Sequence, residues 1–162
     1  MNVAFQKDVG AHVQAHTLMQ PRSFTSTNDA STNAGTIFDR RTDSAGTYES
    51  VTIVVPVTQT FASSGKTATF KLKVQDSATT DSTAFADFAG NDDTTAWSVV
   101  LTATTLTTVA QSDIIKADVR LASANRYVRV TLLPTLTSTA GNLAYLGGVV
   151  GVFGGADTLP TT

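Results

Sequence analysis

Two arginines stand in an apolar run near the end of the chain, in SANRYVRVTLL at 123–133. Arginine here could bind a nucleic-acid phosphate, clamp a substrate carboxylate, or lie on the solvated face of a strand. Alternation places Val128 and Val130 on one face and Arg129 on the other, which predicts that Arg129 faces outward. Arg126 has the inward parity, but it stands at the mouth of the strand, where its guanidinium can reach water. We interpret both as strand-surface residues, with an intersubunit contact as the open alternative.

His12 and His16 are four residues apart, a spacing that would place them on one helix face and could hold a metal ion. The glutamate of a zincin motif is missing, and no third ligand is suggested nearby. The sequence also has no GxSxG elbow and no cysteine. We therefore predict no catalytic residue, no metal site and no cofactor, and a protein that is not an enzyme.

The segment TFASSGKT at 60–67 differs by one residue from a phosphate-binding P-loop, because Thr60 occupies the place of the first glycine. A P-loop leads into a helix, whereas ATFKLKVQ alternates like a strand. We interpret 60–67 as a Ser-Gly hairpin turn.

The segment 76–93 is acidic but lacks the ligand spacing of an EF-hand. Its aspartates could gather a calcium ion, although turns between strands are the favoured interpretation. They are Asp76, Asp81, Asp87, Asp92 and Asp93.

Charge limits the classes of partner. Eleven Lys plus Arg against thirteen Asp plus Glu give a formal net charge of −2, which supplies no basic field for a polyanion. The N-terminus has no secretory leader pattern, and no apolar run approaches the roughly 18 residues of a membrane span. We predict no nucleic-acid partner, no membrane partner and synthesis in the cytoplasm.

Short alternating runs separated by Gly, Ser, Asn and Asp clusters follow from about Gly46 onward. Pro56 has no N–H to donate, so its strand is expected at a sheet edge or bulged. Trp97 shares the inward parity of its run and is expected in the core. At least six such strands favour an all-β antiparallel sandwich or barrel. The residues expected to face the core include Val51, Ile53, Val55, Val57, Phe70, Leu72, Val74, Val119 and Leu121.

Three parts of the chain are distinguished by composition: an N-terminal arm at 1–35, a β domain at 36–155 and a tail at 156–162. The arm is polar and has no sustained period, although Val9 and Val13 are four apart and a short helix over 7–19 is an alternative. A variant that lacks 1–35 is therefore expected to stay folded.

The ordered segments GTIFDRRTDSAGTYESVTIVV, TATFKLKVQDSATTDSTAFADF, ANRYVRVTLLP and LAYLGGVVGVFG resemble small structural proteins of tailed bacteriophages, the capsid decoration or cement proteins. The resemblance covers about Gly35 to Phe153. Two features depart from the group, the loop VQDSATTD and the tail GGADTLP, which lacks the group's basic residue.

The resemblance implies a jelly-roll-like antiparallel β-sandwich preceded by an extended arm. It also implies a dimer or trimer on the outer surface of the virion, made in the host bacterial cytoplasm, that binds the major capsid protein and bridges its neighbours. The contact residues expected on this basis are Phe5, Val9, Val13, Arg22, Phe24, Arg40, Arg41, Tyr127 and Arg129.

Two other functions remain open. A β-sandwich could be a module that binds carbohydrate, but such sites display exposed aromatic side chains, and the inward parity of Trp97 leaves few. A hydrolase has less support, because no set of nucleophile, base and orienting residue is evident. From charge pattern alone, Asp39, Arg40, Arg41 and Asp43 are either a solvated cluster or part of an interface.

Overall fold

The computed structural model describes residues 13–25, 33–41, 47–61, 65–88, 97–102, 110–136 and 143–155. These ranges contain antiparallel strands and one short 3-10 helix at Ser82–Ala84. The strands are β1 (Val13–Met19), β2 (Arg22–Thr25), β3 (Asn33–Ala34), β4 (Phe38–Asp39), β5 (Ser50–Thr60), β6 (Thr67–Ser77), β7 (Ala86–Asp87), β8 (Ser98–Thr102), β9 (Ala110–Arg120), β10 (Tyr127–Leu136), β11 (Leu143–Leu146) and β12 (Val149–Gly154).

Alternating side chains decide which face of each strand is buried. In β5 the odd-numbered residues from Val51 to Gln59 are buried and the even-numbered ones are partly or fully exposed. In β6, Phe70, Leu72 and Val74 face inward. These parities confirm the predicted ones, because β-branched and aromatic residues at every second position form the core side of a pleated strand.

The first sheet is built around β5. β9 runs along one side of β5 over its whole length, while β11 and β12 lie end to end along the other side. β1 pairs with β12 and β2 with β11, so β1 and β2 also lie end to end. In the second sheet β10 pairs with β6, β3 and β4 lie along β10, and β7 and β8 lie along β6.

The strand order identifies the topology. When each of the four end-to-end pairs is counted as one strand, the described residues form eight strands, in the orders 1-8-3-6 and 2-7-4-5. Each strand therefore pairs with the one equally far from the other end of the series, which is a long hairpin rolled into two sheets. This arrangement is a jelly roll. The predicted all-β antiparallel sandwich of jelly-roll type is confirmed.

Pro56 lies in the middle of the first sheet, so the expectation of an edge strand is wrong. Its neighbour on one side is interrupted at Gly147 and Gly148, between β11 and β12. Gly147 N–H donates to the Pro56 carbonyl at 3.0 Å, and a Cβ on Gly147 would lie 2.9 Å from Pro56 Cγ. The proline is accommodated because the facing strand breaks at a glycine.

The described part of the predicted arm is integrated into the sandwich. Val13–Met19 is a strand, so the helix considered over 7–19 is wrong there, because pairing with β12 satisfies its backbone groups. Leu18, Met19 and Phe24 are buried. Removal of 1–35 would delete β1, β2 and β3, so a variant that lacks these residues is not expected to fold.

The segment at 60–67 connects the two sheets. β5 ends at Thr60 in the first sheet and β6 begins at Thr67 in the second, so the predicted hairpin is wrong. Gly65 has a φ of 71°, a conformation that favours glycine. A strand follows, and not the helix that a phosphate-binding loop requires.

Candidate interaction surfaces

Arg40 lies at one end of the sandwich with only 3% of its surface exposed. Its Nε and Nη2 donate to the Tyr48 carbonyl at 3.0 and 2.9 Å. Its Nη1 donates to the carbonyls of Ala124 and Asn125, the latter at 3.1 Å. Burial lowers the pKa of Arg40 from its ordinary value. The buried charge is compensated by these carbonyl dipoles, so the side chain ties three distant segments together.

We call these three segments, 39–41, 47–49 and 121–127, the arginine corner. At its surface Arg126 binds Asp39 through two nitrogens, with Nη2 2.7 Å from Oδ2. The guanidinium carbon of Arg126 lies 5.0 Å from the centre of the Tyr127 ring. The hydrogen bond from Arg126 lowers the pKa of Asp39. Because this pair is exposed to solvent, which screens the two charges, it contributes little to stability.

The arginine corner contains parts of two of the four segments that carry the family resemblance. FDRR, TYES and ANRYVRV meet there, and Leu121 N–H donates to the Glu49 carbonyl at 2.7 Å. The mixed-charge cluster is therefore divided: Arg40 is buried and holds backbone, while Asp39 and Arg41 lie at the surface. These motif residues therefore have a structural role, because they hold backbone segments of the fold together.

The predicted contact residues that the structure describes are not brought together at one surface. Phe24 and Arg40 are buried within the chain, so neither side chain can reach a partner in this arrangement. Phe5 and Val9 lie outside the described residues. Exposed or half-buried positions are occupied by Val13 and Arg22 on the β1 and β2 edge, Arg41 at the arginine corner, and Tyr127 and Arg129 on β10.

Arg129 lies on the outer face of the second sheet, as its parity predicted. Its Nε donates to Gln75 Oε1 at 2.9 Å, and its guanidinium carbon lies 4.3 Å from the centre of the Phe85 ring. The Tyr127 ring is instead contacted by Arg126. Sequence pattern could not show this contact, because it arises where 82–87 folds back across the sheet.

The described aspartates of the acidic segment support turns and strand contacts. Asp76 accepts the Asn125 N–H at 2.6 Å, and Asp81 accepts the Thr83 N–H at 2.9 Å at the start of the 3-10 helix. Asp87 binds Lys73 and the Gln75 amide. Among the described residues no group of three or more His, Asp or Glu could hold a metal ion. Asp92 and Asp93 lie outside them.

His16 belongs to an aromatic cluster between the sheets. Its ring centre lies 4.7 Å from that of Phe38 and 5.8 Å from that of Phe153, and these two phenylalanines stack at 3.9 Å. Tyr48 completes the cluster and donates to the Gln14 side chain. His16 Nε2 is buried without a hydrogen-bond partner in the described structure. The other histidine, His12, lies outside the described residues.

The environment of His16 predicts a stability that depends on pH. Burial lowers the pKa of His16 below its ordinary value of 6.5, so the unfolded chain takes up the proton at a higher pH than the folded one. The stability that neutral His16 contributes is fully present above pH 6.5 and is lost as the pH falls below that value. We expect the unfolding temperature to fall between about pH 7 and pH 5, and the fall to shrink in His16→Phe.

His12→Phe is the matched control and should keep the full fall of the unfolding temperature. Asp39 and Asp87 change the stability only at a lower pH, because hydrogen bonds lower the pKa of each carboxyl group below its ordinary value of 3.8. If the unfolding temperature of His16→Phe depended on pH as strongly as that of the wild type, His16 would not be the group responsible.

The outer face of the first sheet combines apolar side chains with uncharged polar ones, and its charges lie on one edge strand. Register places Val54 beside Val150 and Thr52 beside Val152, with Lys116 and Asp118 at the β9 edge. We call the outward residues of β1, β5, β9 and β12 the apolar face. Its apolar members are Val13, Ala15, Val54, Pro56, Ala110, Ile114, Val150 and Val152, and most of its other members are Thr and Ser.

Comparison of the sequence with known protein families finds no match, and comparison with curated proteins finds none either. Solved structures do show likenesses at low identity. The VP2 subviral particle of infectious bursal disease virus aligns at 10% identity and a TM-score of 0.46, over 91% of this chain and 34% of that one. Latent PorU from Porphyromonas gingivalis aligns at 12% identity and 0.49, over 90% of this chain and 13% of that one.

A third likeness, Eiger TNF from S. frugiperda, has 10% identity and a TM-score of 0.33, over 88% of this chain and 96% of that one. This chain thus spans about a third of VP2 and a smaller share of PorU. The protein is a jelly-roll β-sandwich. That assignment rests on its own strand pairing. In the described part of the chain, no helix has the length and apolar character to cross a membrane.

Proposed function

We propose that this protein is a decoration, or cement, protein of a tailed-bacteriophage head, bound to the outer surface of the capsid. The observation that carries the proposal is the arginine corner. The first and third of the four segments on which the resemblance rests are far apart in sequence, yet Arg40 of the first donates hydrogen bonds to the Ala124 and Asn125 carbonyls of the third, up to 85 positions away. Such a contact is what a fold common to the group would produce.

The proposed role needs a rigid body and contacts with neighbours, and it needs no catalysis. Two sheets closed over one core supply the body. Each copy would hold two adjacent major capsid proteins weakly. Many copies would then stabilise the shell by mass action and avidity, which resists the pressure of the packaged DNA.

The exposed predicted residues indicate where the capsid would bind. Val13 and Arg22 belong to β1 and β2, which form one edge of the first sheet among the described residues, and 1–12 precede this edge. An edge strand can accept another strand through its free backbone groups. We infer that this edge, together with Phe5 and Val9 in the preceding segment, contacts the major capsid protein.

The test is co-sedimentation with expanded phage heads that lack the protein. Removal of 1–12 leaves every described strand in place, so the unfolding temperature should be unchanged. The dissociation constant for heads should rise at least about tenfold, which corresponds to the loss of a few apolar contacts.

The matched control is Thr135→Glu, an exposed position on β10 in the second sheet, which should bind heads like the wild type. Failure of the wild-type protein to bind heads at saturating concentration would overturn the proposed function. Equal binding after removal of 1–12 would instead exclude this segment from the contact.

The carbohydrate-binding alternative is weakened by the positions of the aromatic side chains. Tyr48 is fully buried, Trp97 packs against the core as predicted, and Tyr127 is covered by Arg126. A stacking platform for a sugar needs an open ring face.

A further inference from the structure

We propose that the apolar face is a self-association surface, on which a second copy of this chain packs its own apolar face across a two-fold axis. The inference concerns the free protein in solution. It therefore stands or falls independently of attachment to a capsid.

Exposure of large apolar side chains is concentrated on this face. Val13 is 39% exposed, Val150 41% and Ile114 60%. Among the described residues, only one other large hydrophobic side chain is exposed to a similar degree, Val100 on the opposite sheet. Scattered exposed valines are ordinary, but a contiguous group across four strands marks an interaction surface.

The two outer faces of the sandwich differ in charge. The described outward residues of β1, β5 and β12 include no Lys, Arg, Asp or Glu, whereas the second sheet presents Lys71, Lys73 and Arg129 outward. Charge on the apolar face is confined to Lys116, Asp118 and Arg120 of β9, along one edge. An uncharged centre with a charged rim is the composition of a protein interface.

The rim charges specify a second copy as the occupant. Lys116 and Asp118 are neighbours on the same face. Lys116 Nζ lies 3.1 Å from Asp118 Oδ2, and the two side chains are 63% and 65% exposed. A hydrogen bond from Thr52 at 2.6 Å orients the Asp118 carboxylate. A two-fold axis across the strands, between these two residues, would place Lys116 of each copy opposite Asp118 of the other. At these two positions the face is then its own electrostatic complement.

This axis also matches the apolar side chains. Lys116, Val54 and Val150 form one row across the sheet, and Asp118, Thr52 and Val152 form the next. The rotation exchanges the two rows, so Val150 of one copy packs against Val152 of the other. Strands of the two copies then run nearly antiparallel across the interface, as in aligned sheet packing.

The area sets the expected strength. Four strands about 4.8 Å apart and about 25 Å long give a face of about 500 Å² on each copy. The two faces together then lose about 1,000 Å² of surface, which is the lower limit for a specific interface. We expect a reversible dimer with a dissociation constant on the order of micromolar.

The test is sedimentation velocity of the full chain over a range of concentrations. Val150→Lys should raise the dimer dissociation constant by about tenfold or more, because it buries a charge at the centre of the interface. Val100→Lys is the matched control, since Val100 is a 57% exposed strand residue on the other sheet, and it should dimerise like the wild type.

A charge swap tests the two-fold axis itself. Lys116→Asp should weaken the dimer by opposing like charges, and the double variant Lys116→Asp with Asp118→Lys should restore it. Unfolding temperatures show whether each variant is folded. The proposal is overturned if the wild type is a monomer at about 100 μM, a concentration far above the expected dissociation constant. It is also overturned if Val150→Lys dimerises normally, or if the double variant dimerises no better than the single one.

Discussion

Arg40→Met is expected to lower the free energy of unfolding by about 3 to 5 kcal/mol. Methionine fills much of the same space but donates no hydrogen bond, so the carbonyls of Tyr48, Ala124 and Asn125 lose their donor inside the arginine corner. A buried acceptor without a partner costs about 1 to 3 kcal/mol. The measurement is equilibrium unfolding in urea, monitored by fluorescence of Trp97 and by circular dichroism.

Two comparisons separate the geometry of Arg40 from its charge. Arg40→Lys keeps the charge but cannot reach all three carbonyls, so it should recover only part of the loss. Asp39→Asn breaks the exposed pair with Arg126 and should cost less than about 1 kcal/mol. Equal effects of Arg40→Met and Asp39→Asn would show that Arg40 does not hold the corner.

Gly35→Ala is expected to lower the free energy of unfolding by about 3 kcal/mol or more. A Cβ at this position would lie 2.2 Å from the Leu18 carbonyl oxygen, which belongs to the backbone of β1 and cannot rotate away. Gly35 N–H donates to the Val130 carbonyl at 2.8 Å, and Thr36 N–H donates to the Leu18 carbonyl at 2.7 Å. Relief of the clash requires that at least one of these bonds lengthens.

The matched control for Gly35→Ala is Gly65→Ala. Gly65 has a positive φ but open space around it, so alanine there should cost only about 1 kcal/mol of backbone strain. The same urea titration measures both variants. Gly35→Ala with a stability equal to or above that of Gly65→Ala would contradict the close approach of β1 to the segment after β3.

The arginine corner also affects how the family resemblance is used. Gly35, Arg40 and Arg126 are motif residues, and each has a structural role at a junction between distant segments. Sequences that share the motifs are therefore expected to share the sandwich. Partner choice is expected to reside in other residues, such as those of the apolar face and the β1 and β2 edge.

Local pattern was enough for the features that depend on side-chain alternation alone. The inward parity of Val51 and Phe70, the core position of Trp97 and the outward direction of Arg129 all follow from the two-residue period of a strand. The turn role of Asp81 is equally local, because its carboxylate accepts the N–H of Thr83, two residues away. For these residues the physical cause lies within a few positions of the chain.

Only the tertiary structure decided which strands become neighbours. Pro56 lies in a central strand because a break at Gly147 accommodates it, and β5 and β6 belong to opposite sheets although they are consecutive. Val13 pairs with Gly154, which is almost the whole chain away in sequence. This pairing makes a strand of residues whose composition is that of an arm. Arg40 is buried for the same reason, since two of its carbonyl partners, Ala124 and Asn125, are more than 80 positions away in sequence. Pairing in a jelly roll is set by packing of the complete core, and no short window of sequence contains that information.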